Sequence, residues 1–215
     1  MNINYISILL IFQVFASSLF AQDKKERCFE KGSKVIEAGI GIGLYKTYWE
    51  DNKYPGVIFK DTSGAGFYPL SFEYGILDWL GCGGKFNYSN YIEDSTGKAN
   101  GDSWRGIDFA ATVRAHALRI RRIDLYAGID FGFSNIAFNS TGNSGVIARG
   151  NGSYFSFNLN SRFYFGDHFG MRLFYNFEKY NYPSVVAEDS FGNKLDFSLQ
   201  GKSFLSMGIG LMYKL

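Results

Sequence analysis

The chain of 215 residues has little of several things: 3 prolines, 2 cysteines and 2 histidines. Cys28, Cys82, His116 and His168 offer no pair at ligand spacing, which argues against a zinc centre. Charge of neither sign dominates, with 22 Lys+Arg against 20 Asp+Glu, so no nucleic-acid partner is expected. Beyond the first 21 residues, no apolar run approaches the roughly 18 residues that a membrane helix needs. Helical periodicity is nearly absent as well. If the chain meets a bilayer it must do so as a closed barrel, because no other strand arrangement satisfies its backbone in lipid.

What is present points to export and to strands. The apolar run "ISILLIFQVFASSLFA" ends in small residues at Ala21 and is followed by the polar "QDKKERCFEKG". Residues 1–21 therefore read as a secretory signal peptide, with a retained anchor as the rival reading. Residues 22–33 form a short periplasmic segment, and 34–215 a single barrel domain. Export permits a disulfide between Cys28 and Cys82, both of which fall toward one end of the barrel. The charged "KKER" before Cys28 argues against lipidation there.

Aromatics make up 19% of the chain and glycines number 26, arranged with a period of two in eight stretches. "VIEAGIGIGLY" sets Ile36, Ala38, Ile40, Ile42 and Leu44 against Glu37, Gly39, Gly41, Gly43 and Tyr45. The last stretch sets Leu205, Met207, Ile209, Leu211, Tyr213 and Leu215 against Ser206, Gly208, Gly210 and Lys214. The fold class predicted is all-β: an eight-stranded antiparallel up-and-down transmembrane β-barrel. Connections alternate strictly between short ones, around "LDW", "RIRRID" and "GDHFG", and long polar ones at roughly 46–66, 93–105, 137–152 and 180–196. Long and short loops segregate in this way in outer-membrane barrels.

Alternation alone does not say which face is inside, and a soluble lipid-binding barrel would be greasy within. Two features favour the inverted polarity. Large aromatics sit at both ends of the apolar stripes: Tyr68, Tyr88, Trp104 and Phe155 at one, Trp79, Phe165 and Tyr213 at the other. The polar face, meanwhile, mixes glycine with opposite charges. By parity it carries Glu37, Glu73, Asp108, Asp130 and Glu178 against Lys85, Arg114, Arg162, Arg172 and Lys202. An eight-stranded lumen is just wide enough for side chains to fill. These ten groups are expected to form a polar plug, with Arg114 and Arg162 at its centre because a guanidinium can bridge two carboxylates.

Catalytic chemistry is sparse. "GIGIG" at Gly39–Gly43 is not G-x-G-x-x-G and opens no helix, so it reads as small residues facing a narrow lumen. His116 points inward, but no serine is compellingly placed beside it and G-x-S-x-G is absent. The acidic and amide clusters "WEDNKYPG" and "EDSTGKANGD" do not match EF-hand spacing and read as solvated turns.

Three stretches carry a resemblance: "DLYAGIDFGF" (Asp124–Phe133), "FGDHFGMRLFYNF" (Phe165–Phe177) and the terminal "SMGIGLMYKL". The whole mature chain resembles the small porin-like outer-membrane proteins of the OmpX/OmpA-type eight-stranded barrel family. In that family the last strand is the signal read by the barrel-assembly machinery: alternating apolar residues, an aromatic third from the end and a terminal aromatic. Met207, Ile209, Leu211 and Tyr213 match it, while Leu215 stands where the family usually has Phe. The resemblance implies a non-enzymatic cell outer-membrane protein without cofactor. Outer-membrane lipid and the assembly machinery would be its partners, and surface loops would serve envelope structure, adhesion or contact with an extracellular ligand. A narrow pore, a soluble lipid carrier and a lipid-modifying enzyme are the alternatives.

Overall fold

The computed structural model describes residues 27–92, 102–140 and 145–215. The expected signal peptide, 1–21, lies outside the described residues. Eight antiparallel strands follow one another in a closed ring: β1 (Lys34–Asp51), β2 (Ile58–Leu77), β3 (Leu80–Ile92), β4 (Ser103–Ile120), β5 (Ile123–Asn139), β6 (Ile147–Tyr164), β7 (Phe169–Glu188) and β8 (Lys194–Lys214). The seam pairs β1 with β8 from Val35↔Lys214 to Asp51↔Phe197, so the sheet has no free edge.

The faces divide as the alternation predicts. Ile40, Ile42, Leu70, Phe109, Phe131, Phe155 and Ile209 stand exposed on the outside, while Glu37, Glu73, Arg114, Asp130 and Arg162 are buried within. This is the reverse of a soluble carrier. The outer apolar belt is the solvent-facing surface of the barrel, and only lipid matches its chemistry over so wide an area.

Three of the expected long loops are largely strand. Pairing of β1 with β2 continues to Glu50↔Ile58, of β5 with β6 to Asn139↔Ile147, and of β7 with β8 to Glu188↔Lys194. The stretches 46–66 and 180–196 are therefore tall hairpins, not open loops, and 137–152 is strand up to Asn139 and again from Ile147, with residues 141–144 outside the described residues. Their polar residues occupy strand positions beyond the apolar belt, where backbone pairing persists without needing a greasy face. Gly56 and Gly192 supply the positive φ, 110° and 83°, that two of the tips require. Of the fourth stretch, residues 93–101 lie outside the described residues.

Parity fails at one place. Leu44 pairs with Leu205 but Tyr45 with Ser203, so Phe204 is an extra residue in β8. A bulge of this kind turns every later side chain to the opposite face. Lys202, expected in the lumen, is exposed on the outer wall, its Nζ 5.7 Å from the centre of the Tyr48 ring. Trp104 is displaced in the opposite sense: it packs with the inward-facing Tyr and Ile136 cluster rather than on the outer girdle.

The segment before β1 is more than a tether. Residues 27–33 fold back into the turn end of the barrel, where Gly32 N–H donates to the Gly75 carbonyl (2.8 Å) and Gly75 N–H to the Ser33 carbonyl (2.8 Å). Phe29 is fully buried and stacks on the His116 ring with centroids 3.6 Å apart. Cys28 is buried beside it, its Sγ 3.5 Å from the Ile123 carbonyl, and burial pushes its thiol up to about 12. The bridge to Cys82 that export permits is not made: both cysteines are free. Cys82 pairs with Tyr74 and Val113 on the outward face of β3, so the barrel wall stands between the two sulfurs.

Phe29 fills the turn end as a core side chain does, and Phe29→Ala should cost about 3–5 kcal/mol. Urea unfolding of the refolded protein measures this, and an unchanged midpoint would show that the segment merely rests on the barrel.

Candidate functional site: a layered lumen and an aromatic mouth

The lumen is filled in layers. Glu37 of β1 is the hub of the lowest. It accepts hydrogen bonds from Arg114 Nη1 (2.9 Å), Arg162 Nε (2.8 Å), Arg172 Nη1 (2.8 Å), Ser71 Oγ (2.8 Å) and Tyr126 Oη (3.1 Å). Arg162 of β6 reaches across the barrel to Glu73 of β2 as well and donates to Asp124 at 3.0 Å. Arg114 bridges Glu37 and Glu73. Three carboxylates, Glu37, Glu73 and Asp124, thus meet three guanidinium groups. All six side chains come from strands whose inward positions the period-two pattern sets. Asp124 belongs to this layer although parity reasoning passed over it: it sits at the very start of β5, inside "RIRRID", which read as a short connection.

His116 lies in the same layer. Its Nδ1 is 2.7 Å from Asp124 Oδ1 and its Nε2 is 2.7 Å from Glu73 Oε1. Both ring nitrogens are engaged by carboxylates, and Phe29 covers one face of the ring. Neither nitrogen faces a serine hydroxyl, so the base–nucleophile contact of a hydrolytic site is not made here.

Above this layer, glycines on β1 and β8 give room for two aromatic rings. A Cβ on Gly41 would lie 2.4 Å from the Phe67 ring, and one on Gly208 would lie 2.4 Å from Phe174. The glycines of "GIGIG" therefore serve close packing in the lumen. Phe67 and Phe174 are both buried, their centroids 5.9 Å apart, and the Arg172 guanidinium lies 4.6 Å from the Phe174 ring centre.

The next layer is built on hydroxyls. Lys85 pairs with Asp130 (3.1 Å) and donates to Tyr154 Oη at 2.8 Å. Glu178 accepts from Tyr45 Oη (2.7 Å), Tyr154 Oη (3.1 Å) and Ser206 Oγ (3.0 Å). Asp108 accepts from Asn87 (2.9 Å), Ser134 (2.5 Å) and Tyr180 (3.3 Å). Among the described residues one cation, Lys85, stands here against three carboxylates; tyrosine and serine hydroxyls satisfy the rest. Parity sets Tyr45 and Tyr126 on the inward face, where both are buried, but it counts charges and does not show that hydroxyls stand in for cations here.

The lumen then opens into a mouth cavity of about 850 Å³ at the hairpin end. Trp49, Tyr91, Trp104, Tyr180, Tyr182 and Phe197 line it, with the carboxylates of Asp61 and Asp102 at its edge. Among the described residues no group of His, Cys, Asp or Glu side chains is arranged to hold a metal ion.

Of the ten side chains expected in the lumen, nine are buried there, and Lys202 lies outside. In overall shape the chain is similar to the outer membrane protein OprG from Pseudomonas aeruginosa, with a TM-score of 0.57 over 87% of this chain and 97% of that one, at 12% identity. It is also similar to the outer membrane protein AlkL, determined by solid-state NMR in DMPC lipid bilayers, with a TM-score of 0.50 over 90% and 95% of the two chains, at 10% identity. The fold is that of a small outer-membrane β-barrel. No protein-family model matches the sequence, and no curated protein does. Identities this low carry the architecture of the outer-membrane barrel and nothing of what its mouth or wall binds.

The ionic layer predicts a sharp contrast between two basic residues. Arg114→Ala removes one of the three guanidiniums on Glu37 and one of the two on Glu73 in a buried site, and should cost about 3–5 kcal/mol. Lys202→Ala, on the outer wall, should cost no network energy. Urea midpoints of the two refolded variants check this, and equal losses would contradict the assignment.

Proposed function

We propose that this chain is a non-enzymatic integral protein of the cell outer membrane, whose barrel is an anchor rather than a conduit. The observation that carries the reading is the ion network, which crosses the lumen from β6 to β1 and β2 with the Phe29 segment packed beneath it. A pore selective for ions needs a wet path lined by free charge of one sign; here the lowest layer sets three acids against three guanidiniums and His116, and the carboxylates of the layer above are held by Lys85 and by hydroxyls and an amide. The locked environment of His116 supports the non-enzymatic reading over a lipid-modifying enzyme.

In this reading residues 1–21 direct export, the three tight turns and residues 27–33 face the periplasm, and the tall hairpins stand at the cell surface. The hairpin rim and its aromatic mouth are then the parts available for envelope contacts or for an extracellular ligand. Met207, Ile209, Leu211, Tyr213 and Leu215 serve as the label for the barrel-assembly machinery. In the fold these residues line the outer face of the closing strand, with Tyr213 ring-to-ring against Phe169 at 4.8 Å.

The protein should fractionate with outer membranes and, reconstituted in planar bilayers, show little or no steady conductance. A stable ion-selective current would replace this reading with the pore. Replacing Tyr213 and Leu215 together with serine should leave unfolded chain in the periplasm, detected as loss of heat-modifiable gel mobility. Normal insertion of that variant would remove the signal role.

A further inference from the structure

The bulge in β8 sets a lysine where the lumen pattern would have hidden it, and it does not stand alone. Lys202 is directly opposite Lys46 of β1 on one side and Lys179 of β7 on the other. All three are exposed on the outer wall. Directly opposed residues in a sheet stand about 4.5–5.5 Å apart, and like charges so placed repel. Among the described residues no ion pair involves any of the three, and Lys202 finds only the face of Tyr48.

Their height on the barrel is as informative as their spacing. Each crowns an apolar stripe: Ile36, Ile40, Ile42 and Leu44 lead up to Lys46, and Leu173 and Phe177 lead up to Lys179. On β8 the stripe of Leu211, Ile209, Met207 and Phe204 leads up to Lys202. Other strands carry exposed cations toward the hairpin end as well, Lys60 on β2, Arg105 on β4 and Arg149 on β6, but their direct partners are Tyr48, Asn90, Ala137 and Val186, and none of them faces another cation. On β7, β8 and β1, by contrast, three cations stand in one directly opposed row where the apolar stripes end, on the hairpin side. A bilayer places headgroups at that border.

We propose that Lys46, Lys179 and Lys202 form a binding site on the barrel wall for the phosphates of an anionic lipid, a phosphorylated saccharolipid of the lipid A type in the outer leaflet. Its acyl chains would lie along the stripes below the lysines, and its phosphates would neutralise three charges that otherwise repel. Lysine suits the task as a point charge on a flexible stem that reaches toward a headgroup. The inference rests on the outer-membrane reading above, but its test reads lipid binding to purified protein and can fail while that reading stands.

The decisive variant is Lys46→Gln/Lys179→Gln/Lys202→Gln, whose changes are all exposed and leave the interior intact. In lipid-free non-ionic detergent it should melt at or above the temperature of the wild type, because repulsion is relieved. Diphosphoryl lipid A added to the micelles should raise the melting temperature of the wild type and not that of the variant, and native mass spectrometry should show lipid retained about tenfold less by the variant, a ratio within reach of three phosphate contacts. Dephosphorylated lipid A should stabilise neither protein, and free pyrophosphate should not substitute for the lipid. Equal retention by wild type and variant, or equal stabilisation by the dephosphorylated lipid, would overturn the proposal. Stabilisation by free pyrophosphate at the same concentration would overturn its lipid specificity and leave a simple anion site.

Discussion

Three guanidinium groups converge on one carboxylate, Glu37, at 2.8–2.9 Å, and much else in the barrel follows from what that arrangement demands. A buried carboxylate without partners costs several kcal/mol, and a buried guanidinium costs as much. The groups are tolerable only if strands on opposite sides of the ring hold them together. Arg162 on β6 and Glu37 on β1 meet only because the sheet is closed. The same network would be exposed and weak in an open sheet, so closure and ion pairing require one another.

The layers above and below solve the same problem with different chemistry. Beneath the network, the Phe29 ring covers His116 and shields the ion pairs from solvent at the turn end. Above it, Phe67 and Phe174 occupy space that glycines on β1 and β8 leave free. Higher still, tyrosine and serine hydroxyls replace cations as the partners of Asp108 and Glu178. Charge density falls toward the mouth, where the lumen widens and water can reach the polar groups.

The outer wall answers to a different solvent. Its apolar stripes need lipid, and their upper border on β7, β8 and β1 is marked by lysines rather than by a neutral ring. One inserted residue, Phe204, decides that Lys202 joins this border instead of the lumen. A single bulge thereby changes the composition of both faces: it removes a cation from the interior and completes a row of cations outside.

Much of this architecture was legible in the chain alone. Period-two alternation is a local property, so the number of strands, their inward and outward faces and the short turns could be read from spacing. Nine of the ten interior charges followed from parity, because parity holds wherever pairing is regular. The resemblance of the last strand to outer-membrane barrels pointed to the same fold. What spacing could not reveal depends on partners distant in sequence. The bulge at Phe204 exists only relative to β1, so Lys202 was placed on the wrong face. The hairpins at 46–66 and 180–196, and the strand ends within 137–152, looked like loops because strands that rise beyond lipid lose their greasy face but keep their backbone pairing. Cys28 and Cys82 looked bridgeable because nothing in the chain says that a sheet lies between them. Phe29 enters the interior from the leading segment, where no periodicity exists to follow, and Asp124 from the turn-side start of β5, inside a stretch that read as a connection. Local pattern determined the strands and their faces; only closure of the sheet decided which charges meet, which cysteines are kept apart and which lysines stand in a row.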